Sequence, residues 1–228
     1  MINGAIVYKG ASCINGDPVV LIVTNICAPS VNKKTSDMLQ TWILPDNDKT
    51  PQENVNAGSD ISVCGGCKRR HYLGGDCYVK PWRDVGSVFK SYKRGNYPFF
   101  NNKLVKKYPR FKNTPLRIGS YGDPAAIPFI AWFRLLRHVT AWTGYTHQWQ
   151  RINFDHRLKK YVVASVDNFI EKDQAQLLGF KTFRVSNGVN TQNDEISCPA
   201  SIEQDNRLNC AECLRCNGQS GNVAIKVH

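Results

Sequence analysis

Short apolar runs separated by Gly, Pro and Asn predict strands in the first 60 residues, at 5–8, 19–24 and 39–44. From Asp84 to Tyr92 the apolar and aromatic residues instead recur at i, i+3, i+4 and i+7, the spacing of a helix, with Asp84 well placed at its start. Segment 62–79 shows neither period and predicts a cysteine-rich loop.

The second half of the chain alternates between the two periods. Strands are predicted at 116–120, 143–148, 161–166 and 181–185, helices at 127–139 and 171–178, and a closing strand at 222–227. This βαβ order predicts an α/β fold whose parallel strands form a partial barrel or an open sheet, with a cysteine-rich loop and tail added. We expect one domain, made of a β-rich part at 1–60, a cysteine-rich and basic segment at 61–112, a βαβ core at 113–186 and a cysteine-rich tail at 187–228.

Three polar residues follow predicted strands of this core, and functional groups of parallel sheets collect at such strand ends. Asp123, His147 and Asp167 are therefore candidates for acid–base or cofactor-binding roles. Each also has a simpler structural interpretation. Asp123 would cap a turn before Pro124, Asp167 with Asn168 would cap the next helix, and His147 would be a hydrogen-bonded core histidine.

The chain contains nine cysteines. An odd number argues against a complete disulfide framework, and we expect no secretory signal, so a reducing compartment is favoured. We interpret Cys13 and Cys27 as buried thiols without partners. The other seven form two clusters: Cys64, Cys67 and Cys77, then Cys198, Cys210, Cys213 and Cys216.

The tail cluster has the spacing of a metal site. Cys210, Cys213 and Cys216 are separated by two residues each, and Cys198 before Pro199 supplies a fourth thiolate. A [4Fe–4S] cluster is slightly favoured, and a four-thiolate Zn²⁺ site is the competitor.

The first cluster leaves three arrangements open. Cys64, Cys67 and Cys77 could bind Zn²⁺ together with His71, or hold an iron–sulfur cluster with one open iron. In the third arrangement Cys64 and Cys67 share one site with Cys213 and Cys216.

The net charge of +12 is concentrated in segment 68–112, which has thirteen Lys or Arg against two Asp and also ten aromatic residues. Basic side chains bind phosphates and aromatic rings stack on unpaired bases, so this mixture favours single-stranded DNA or RNA over a solvated surface. The candidates are Lys68, Arg69, Arg70, Tyr72, Trp82, Lys90, Tyr92, Lys93, Arg94, Tyr97, Lys106, Lys107 and Arg110.

Other function classes lack support. The chain has no apolar run long enough to span a bilayer, no phosphate-binding Walker loop, no G-x-S-x-G elbow and no H-E-x-x-H helix. The sequence therefore disfavours a membrane protein, a nucleotide triphosphatase, a serine hydrolase and a zincin.

Several ordered motifs resemble a family of uncharacterised bacteriophage proteins. They are the cysteine run ending Cys-Tyr-Val, "LRIGSYGDP", "TGYTHQW", "VASVD" and the tail "CPAS…CAECLRC…VAIKVH", spread over residues 36–228. The resemblance implies the cytoplasm of an infected host cell.

More remotely, a cysteine cluster before a partial βα barrel resembles the radical S-adenosylmethionine enzymes. That resemblance implies a [4Fe–4S] cluster on Cys64, Cys67 and Cys77, with S-adenosylmethionine near 119–123. The spacing here is Cys-x2-Cys-x9-Cys, whereas that family has Cys-x3-Cys-x2-Cys.

Two hypotheses follow. In the first, the chain is a metal-stapled protein that binds nucleic acid in phage transcription or replication. In the second, it is an iron–sulfur enzyme acting on a nucleic acid or nucleotide. An open metal coordination position distinguishes the second from the first.

Overall fold

The computed structural model describes residues 2–29, 34–188, 191–205 and 207–227. Within them, nine strands form one sheet: β1 (Gly4–Ala11), β2 (Pro18–Thr24), β3 (Leu39–Pro45), β4 (Leu116–Tyr121), β5 (Trp142–Thr146), β6 (Val163–Val166), β7 (Thr182–Ser186), β8 (Glu195–Ser197) and β9 (Asn222–Lys226). The helices of the same residues are α1 (Pro51–Asn56), α2 (Ile61–Cys64), α3 (Gly86–Lys93), α4 (Asn102–Lys107), α5 (Arg110–Asn113), α6 (Phe129–Leu136), α7 (Phe169–Leu177) and α8 (Cys210–Cys213).

The sheet is mixed and mostly parallel, with the strand order β1-β2-β3-β4-β5-β6-β7-β9-β8. Strand β2 pairs antiparallel with β1 and with β3, and every pair from β3 onward is parallel. Helix α6 connects β4 to β5, and α7 connects β6 to β7. The prediction of an α/β protein with parallel βαβ units is therefore confirmed.

Two hydrophobic clusters cover opposite faces of the sheet, as alternation along β6 shows. Ala164 and Val166 belong to the larger cluster, which includes buried residues of α6 and α7, whereas Val163 belongs to a smaller one. Successive side chains of a strand point to opposite faces, so the clusters lie on either side. The smaller cluster also contains Cys198, Cys210 and Cys216 of the tail.

Several predicted boundaries differ from the observed ones. Helix α6 begins only after Pro128, because proline is compatible with a helix start but not its interior, and it ends at Leu136 rather than Val139. The basic segment contains α4 and α5, which were not predicted. None of the described helices is long and apolar enough to cross a lipid bilayer.

Candidate functional site

Helix α2 and the cysteine-rich loop that follows it cross the carboxyl ends of three parallel strands. Beyond β4, the Asp123 amide donates to the Val63 carbonyl at 2.7 Å. Beyond β5, Gln148 Nε2 donates to the carbonyl of Cys64 at 3.0 Å. Beyond β6, Asp167 forms an ion pair with Arg69. Each strand end thus holds one part of the loop.

A tight approach fixes the loop beside β5. Gly65 has φ +55°, and a Cβ there would lie 2.4 Å from Gln148 Oε1. The Gly66 amide donates to that same oxygen at 3.2 Å. Only glycine permits both the positive φ and the close amide, so it positions the chain between Cys64 and Cys67.

The loop brings Cys64, Cys67 and Cys77 together. Each is partly buried, and the Cys64 thiol interacts electrostatically with those of Cys67 and Cys77. Burial raises the pKa of Cys64 well above its usual range and that of Cys67 to about 12, so both thiols are protonated at neutral pH. Among the described residues, no three His, Cys, Asp or Glu side chains stand in a geometry that could hold a metal ion.

Asp123 lies within this region and is fully engaged by hydrogen bonds. Its Oδ1 accepts from the Ala125 amide at 3.0 Å and from Thr146 Oγ1 at 2.8 Å, and its Oδ2 accepts from the His147 amide at 2.6 Å. Burial nevertheless raises the pKa of Asp123 to about 6, because desolvation outweighs these bonds. Asp123 caps the 3-10 turn Pro124–Ala126, so its structural interpretation holds.

His147 and Asp167 border the same site. His147 Nδ1 lies 4.0 Å from Asp123 Oδ2, and burial lowers the pKa of His147 to about 4. At neutral pH the imidazole is therefore neutral. Asp167 pairs with Arg69, while its neighbour Asn168 caps α7 by accepting from the Glu171 amide at 2.8 Å. The three predicted candidates thus lie at one edge, together with the first cysteine cluster.

Two further buried polar groups lie at this edge and were not among the predicted candidates. The Tyr121 hydroxyl, on a side chain 5% exposed, has no hydrogen-bond partner among the described residues and lies in the electrostatic field of Cys64, Cys77 and Asp60. Asp60 itself forms a buried ion pair with Arg70. The sequence places Tyr121 at the end of a strand but does not show that its hydroxyl is unpaired, because an aromatic residue at a strand end is usually part of the core.

His71, the possible fourth ligand, uses one ring nitrogen elsewhere. Its Nε2 lies 3.0 Å from the Val79 carbonyl, which accepts only from a protonated nitrogen. Only Nδ1 is then available to a metal.

The tail cysteines form a second group. Cys198 interacts electrostatically with Cys210 and Cys213, and Cys216 with Cys198 and Cys210. The short helix α8 creates this arrangement. Its cap Asn209 accepts from the Glu212 amide at 3.1 Å, and it ends at a left-handed Leu214 that reverses the chain before Cys216. The structure therefore separates the cysteines into two groups, rather than joining Cys64 and Cys67 to the tail.

The two remaining cysteines differ from expectation. Cys13 is exposed and Cys27 is half-buried, so the interpretation of both as buried thiols was wrong. Cys13 lies in the loop between β1 and β2, where the sheet edge leaves it in contact with solvent.

Much of the positive charge of segment 68–112 is neutralised by carboxylates. Lys68 pairs with Glu171 at 2.7 Å and Lys93 with Asp48 at 2.8 Å. Three arginines are also paired: Arg69 with Asp76 and Asp167, Arg70 with Asp60, and Arg110 with Asp37. Except for Asp76, these partners lie outside segment 68–112, so the charge count of the segment overstated its positive field. Lys90, Arg94, Lys106 and Lys107 have no carboxylate partner among the described residues.

The aromatic candidates divide in the same way. Tyr92 donates its hydroxyl to Asp46 at 2.6 Å, and Tyr97 is partly buried against the larger cluster. Tyr72 and Trp82 are more than half exposed and line a cavity of about 530 Å³ with His71. Of the four, only these two side chains are mostly exposed, and the Tyr72 ring lies against Gly58 and the Arg70 guanidinium.

Comparison with known proteins gave no relative: no protein-family model, curated protein or solved structure matches the chain. What the fold and site define is an α/β protein with a cysteine-rich loop at the carboxyl edge of its parallel strands. The resemblance to bacteriophage proteins stays a prediction.

Proposed function

We propose that the chain is an iron–sulfur protein in which Cys64, Cys67 and Cys77 hold a [4Fe–4S] cluster over the carboxyl ends of β4, β5 and β6. One observation carries the proposal: three thiols lie beside the buried Asp123 and the partly buried His147 at this edge. Parallel α/β sheets bind their ligands there. Thiolates are also the usual protein ligands of iron–sulfur clusters.

Three cysteines leave one iron of such a cluster without a protein ligand. That iron can take a substrate or cofactor group, which a closed structural site cannot do. The Zn²⁺ alternative needs a fourth ligand from the chain, and His71 can supply one only through Nδ1, because its Nε2 donates to the Val79 carbonyl. The position of the thiols over the strand ends, where α/β sheets bind their ligands, favours the open cluster over a closed zinc site.

Metal binding requires the loop to adjust. No three described donors yet stand at ligand geometry, and the raised thiol pKa values mean that protons must leave as the metal enters. The three thiols belong to one short segment, so a local rearrangement of that segment brings them to ligand distance. Reconstitution should accordingly release protons, which a weakly buffered titration measures.

The groups around the cluster would bind a polar substrate. At neutral pH the partly exposed His147 imidazole is neutral and can accept a hydrogen bond from a hydroxyl or an amino group. Asp123, which is buried and already accepts three hydrogen bonds, holds the His147 backbone in place. The Tyr121 hydroxyl adds a buried polar group with no described partner. We propose that the substrate is a nucleotide or a nucleic acid. We also propose that the parallel strands of the sheet form a partial barrel. S-adenosylmethionine is the first cofactor to test, although the cysteine spacing departs from the radical S-adenosylmethionine family.

The test is iron and sulfide content after anaerobic reconstitution of wild type and Cys77→Ser. Cys13→Ser is the matched control, because it removes an exposed thiol outside both clusters. We expect Cys77→Ser to lose most of the iron bound at this loop and Cys13→Ser to lose none. Equal iron in all three proteins would contradict the proposal.

A second candidate function is single-strand binding, favoured by one specific feature. The cavity with Tyr72 and Trp82 presents two exposed rings, and Lys80 Nζ lies 5.9 Å from the Trp82 ring centroid. Stacking on such rings binds bases without sequence preference. A role in phage transcription or replication belongs to this candidate.

Fluorescence titration with single-stranded oligonucleotides tests it. Replacing Tyr72 or Trp82 by Ala should weaken binding about 5- to 100-fold, from the value of one stacked base. Phe99→Ala is the control, because Phe99 is equally exposed but lies beside β1. An equal loss of oligonucleotide affinity in all three variants would show that the substitutions act non-specifically, and it would exclude the cavity from the binding interface.

A further inference from the structure

Arg117 on β4 is a buried guanidinium without an acidic partner. Its neighbours Leu116 and Ile118 face the larger hydrophobic cluster, so alternation places Arg117 on the opposite face, which the tail covers. It is 6% exposed. Within the described residues no carboxylate lies within ion-pair distance of it.

Two phenols surround the guanidinium instead. Arg117 Nη2 lies 3.0 Å from the Tyr78 hydroxyl and Nη1 lies 3.4 Å from that of Tyr145, whose ring centroid is 4.9 Å from the guanidinium carbon. Neutral phenols orient a cation but do not neutralise it. The other buried arginines, Arg70 and Arg184, both have carboxylate partners.

A buried charge without a counter-ion is costly, so a compensating anion is expected. After the two phenols, the acidic groups that interact with Arg117 are tail thiols. Arg117 interacts electrostatically with Cys210 and Cys216, and Tyr145 interacts with the same two thiols. The Gly144 amide donates to the Cys216 carbonyl at 2.8 Å, which fixes the tail against β5.

No three described donors stand at ligand geometry, so the tail must close to bind a metal. We infer that Cys198, Cys210, Cys213 and Cys216 close into a four-thiolate metal centre and that Arg117, oriented by Tyr145, is its counter-ion. Both a four-thiolate Zn²⁺ site and a four-thiolate [4Fe–4S]²⁺ cluster carry a formal charge of about −2. Such an anion supplies the charge that Arg117 lacks. Lys34 provides a further positive group, because it interacts electrostatically with Cys198.

A neighbouring polar group supports the same location. Thr143 pairs with Arg117 in the adjacent strand, is 2% exposed, and its hydroxyl has no hydrogen-bond partner among the described residues. A hydroxyl on this face can donate to a thiolate sulfur. Partners of this kind orient and stabilise thiolate ligands, and their loss costs about 10- to 100-fold in metal affinity.

The experiment compares Arg117→Met, which removes the charge, with Arg117→Lys, which retains it. The metal content of wild type and of Cys213→Ser first identifies the tail metal, as zinc or as iron with sulfide. Release of that metal to a chelator should be about 10- to 100-fold faster in Arg117→Met and close to wild type in Arg117→Lys. Tyr145→Phe, which removes only a hydroxyl, should show a smaller acceleration.

Thermal unfolding with and without metal distinguishes a counter-ion role of Arg117 from a packing role. Without metal, Arg117→Met should melt at or above the wild-type temperature, because it removes an unpaired buried charge; with metal, it should melt below it. Equal release rates from wild type and Arg117→Met would overturn the counter-ion role. Unchanged metal content in Cys213→Ser would overturn the tail centre, and it would leave the cluster at Cys64, Cys67 and Cys77 standing.

Discussion

The ion pair between Arg70 and Asp60 provides the sharpest stability prediction. Arg70 Nε donates to Asp60 Oδ2 at 3.0 Å, and Nη2 donates to Oδ1 and to the Gly58 carbonyl at 2.8 Å. The two side chains are only 5% and 3% exposed. Arg70→Met would leave the Asp60 carboxylate buried without a cation. Breaking a buried pair in this way costs about 3–5 kcal/mol, so the free energy of unfolding should fall by that amount.

The assay is urea denaturation of the wild type, Arg70→Met, Asp60→Asn and the double variant. The double-variant cycle isolates the coupling between the two side chains. Arg94→Met is the control, because Arg94 is exposed and has no described carboxylate partner, and its effect should stay within about 0.5 kcal/mol. A loss below about 1 kcal/mol in Arg70→Met, combined with weaker nucleic-acid binding, would refute the structural role and return Arg70 to the phosphate contacts.

The remaining predictions concern pH, salt and the loop. Burial raises the pKa of Asp123 from 3.8 to about 6, so its stabilising contribution is full below about pH 4 and is lost as the pH rises through 6. Between pH 4 and 7, metal-free wild type should therefore lose about 2 kcal/mol of unfolding free energy relative to Asp123→Asn, and parallel pH profiles in urea denaturation would contradict this. Replacing Lys106 and Lys107 together should reduce the salt slope of single-strand binding by about two, and an unchanged slope would remove them from the interface. Gly65→Ala should destabilise the protein by about 1–3 kcal/mol, because it strains a positive φ and meets Gln148; a change below about 0.5 kcal/mol in urea denaturation would contradict the contact.

The fold was largely predictable because its strands and helices follow strong local patterns. Strand β2 is apolar from Val19 to Val23, and the orders β4-α6-β5 and β6-α7-β7 predict parallel pairing. The elements that were missed have weak patterns. Helices α4 and α5 lie in a run of Lys and Asn, and the short β8 is recognisable only from its pairing with β9.

The site was only partly predictable. Parallel strand ends meet at one edge, so Asp123, His147 and Asp167 could be grouped from the sequence. The residues that pair with these side chains could not be predicted from the sequence. Whether a cation is free or paired depends on residues distant in sequence, as with Arg69 and Asp167, and the buried Tyr121 hydroxyl has no local signature.

The most direct test of the central claim is a count of iron, labile sulfide and zinc in anaerobically purified wild-type protein. The account predicts about four iron and about four sulfide per chain from the first cluster, with either zinc or further iron in the tail. A broad thiolate-to-iron absorbance should accompany them. Protein that contains neither iron nor sulfide after reconstitution would contradict the claim that Cys64, Cys67 and Cys77 hold an iron–sulfur cluster.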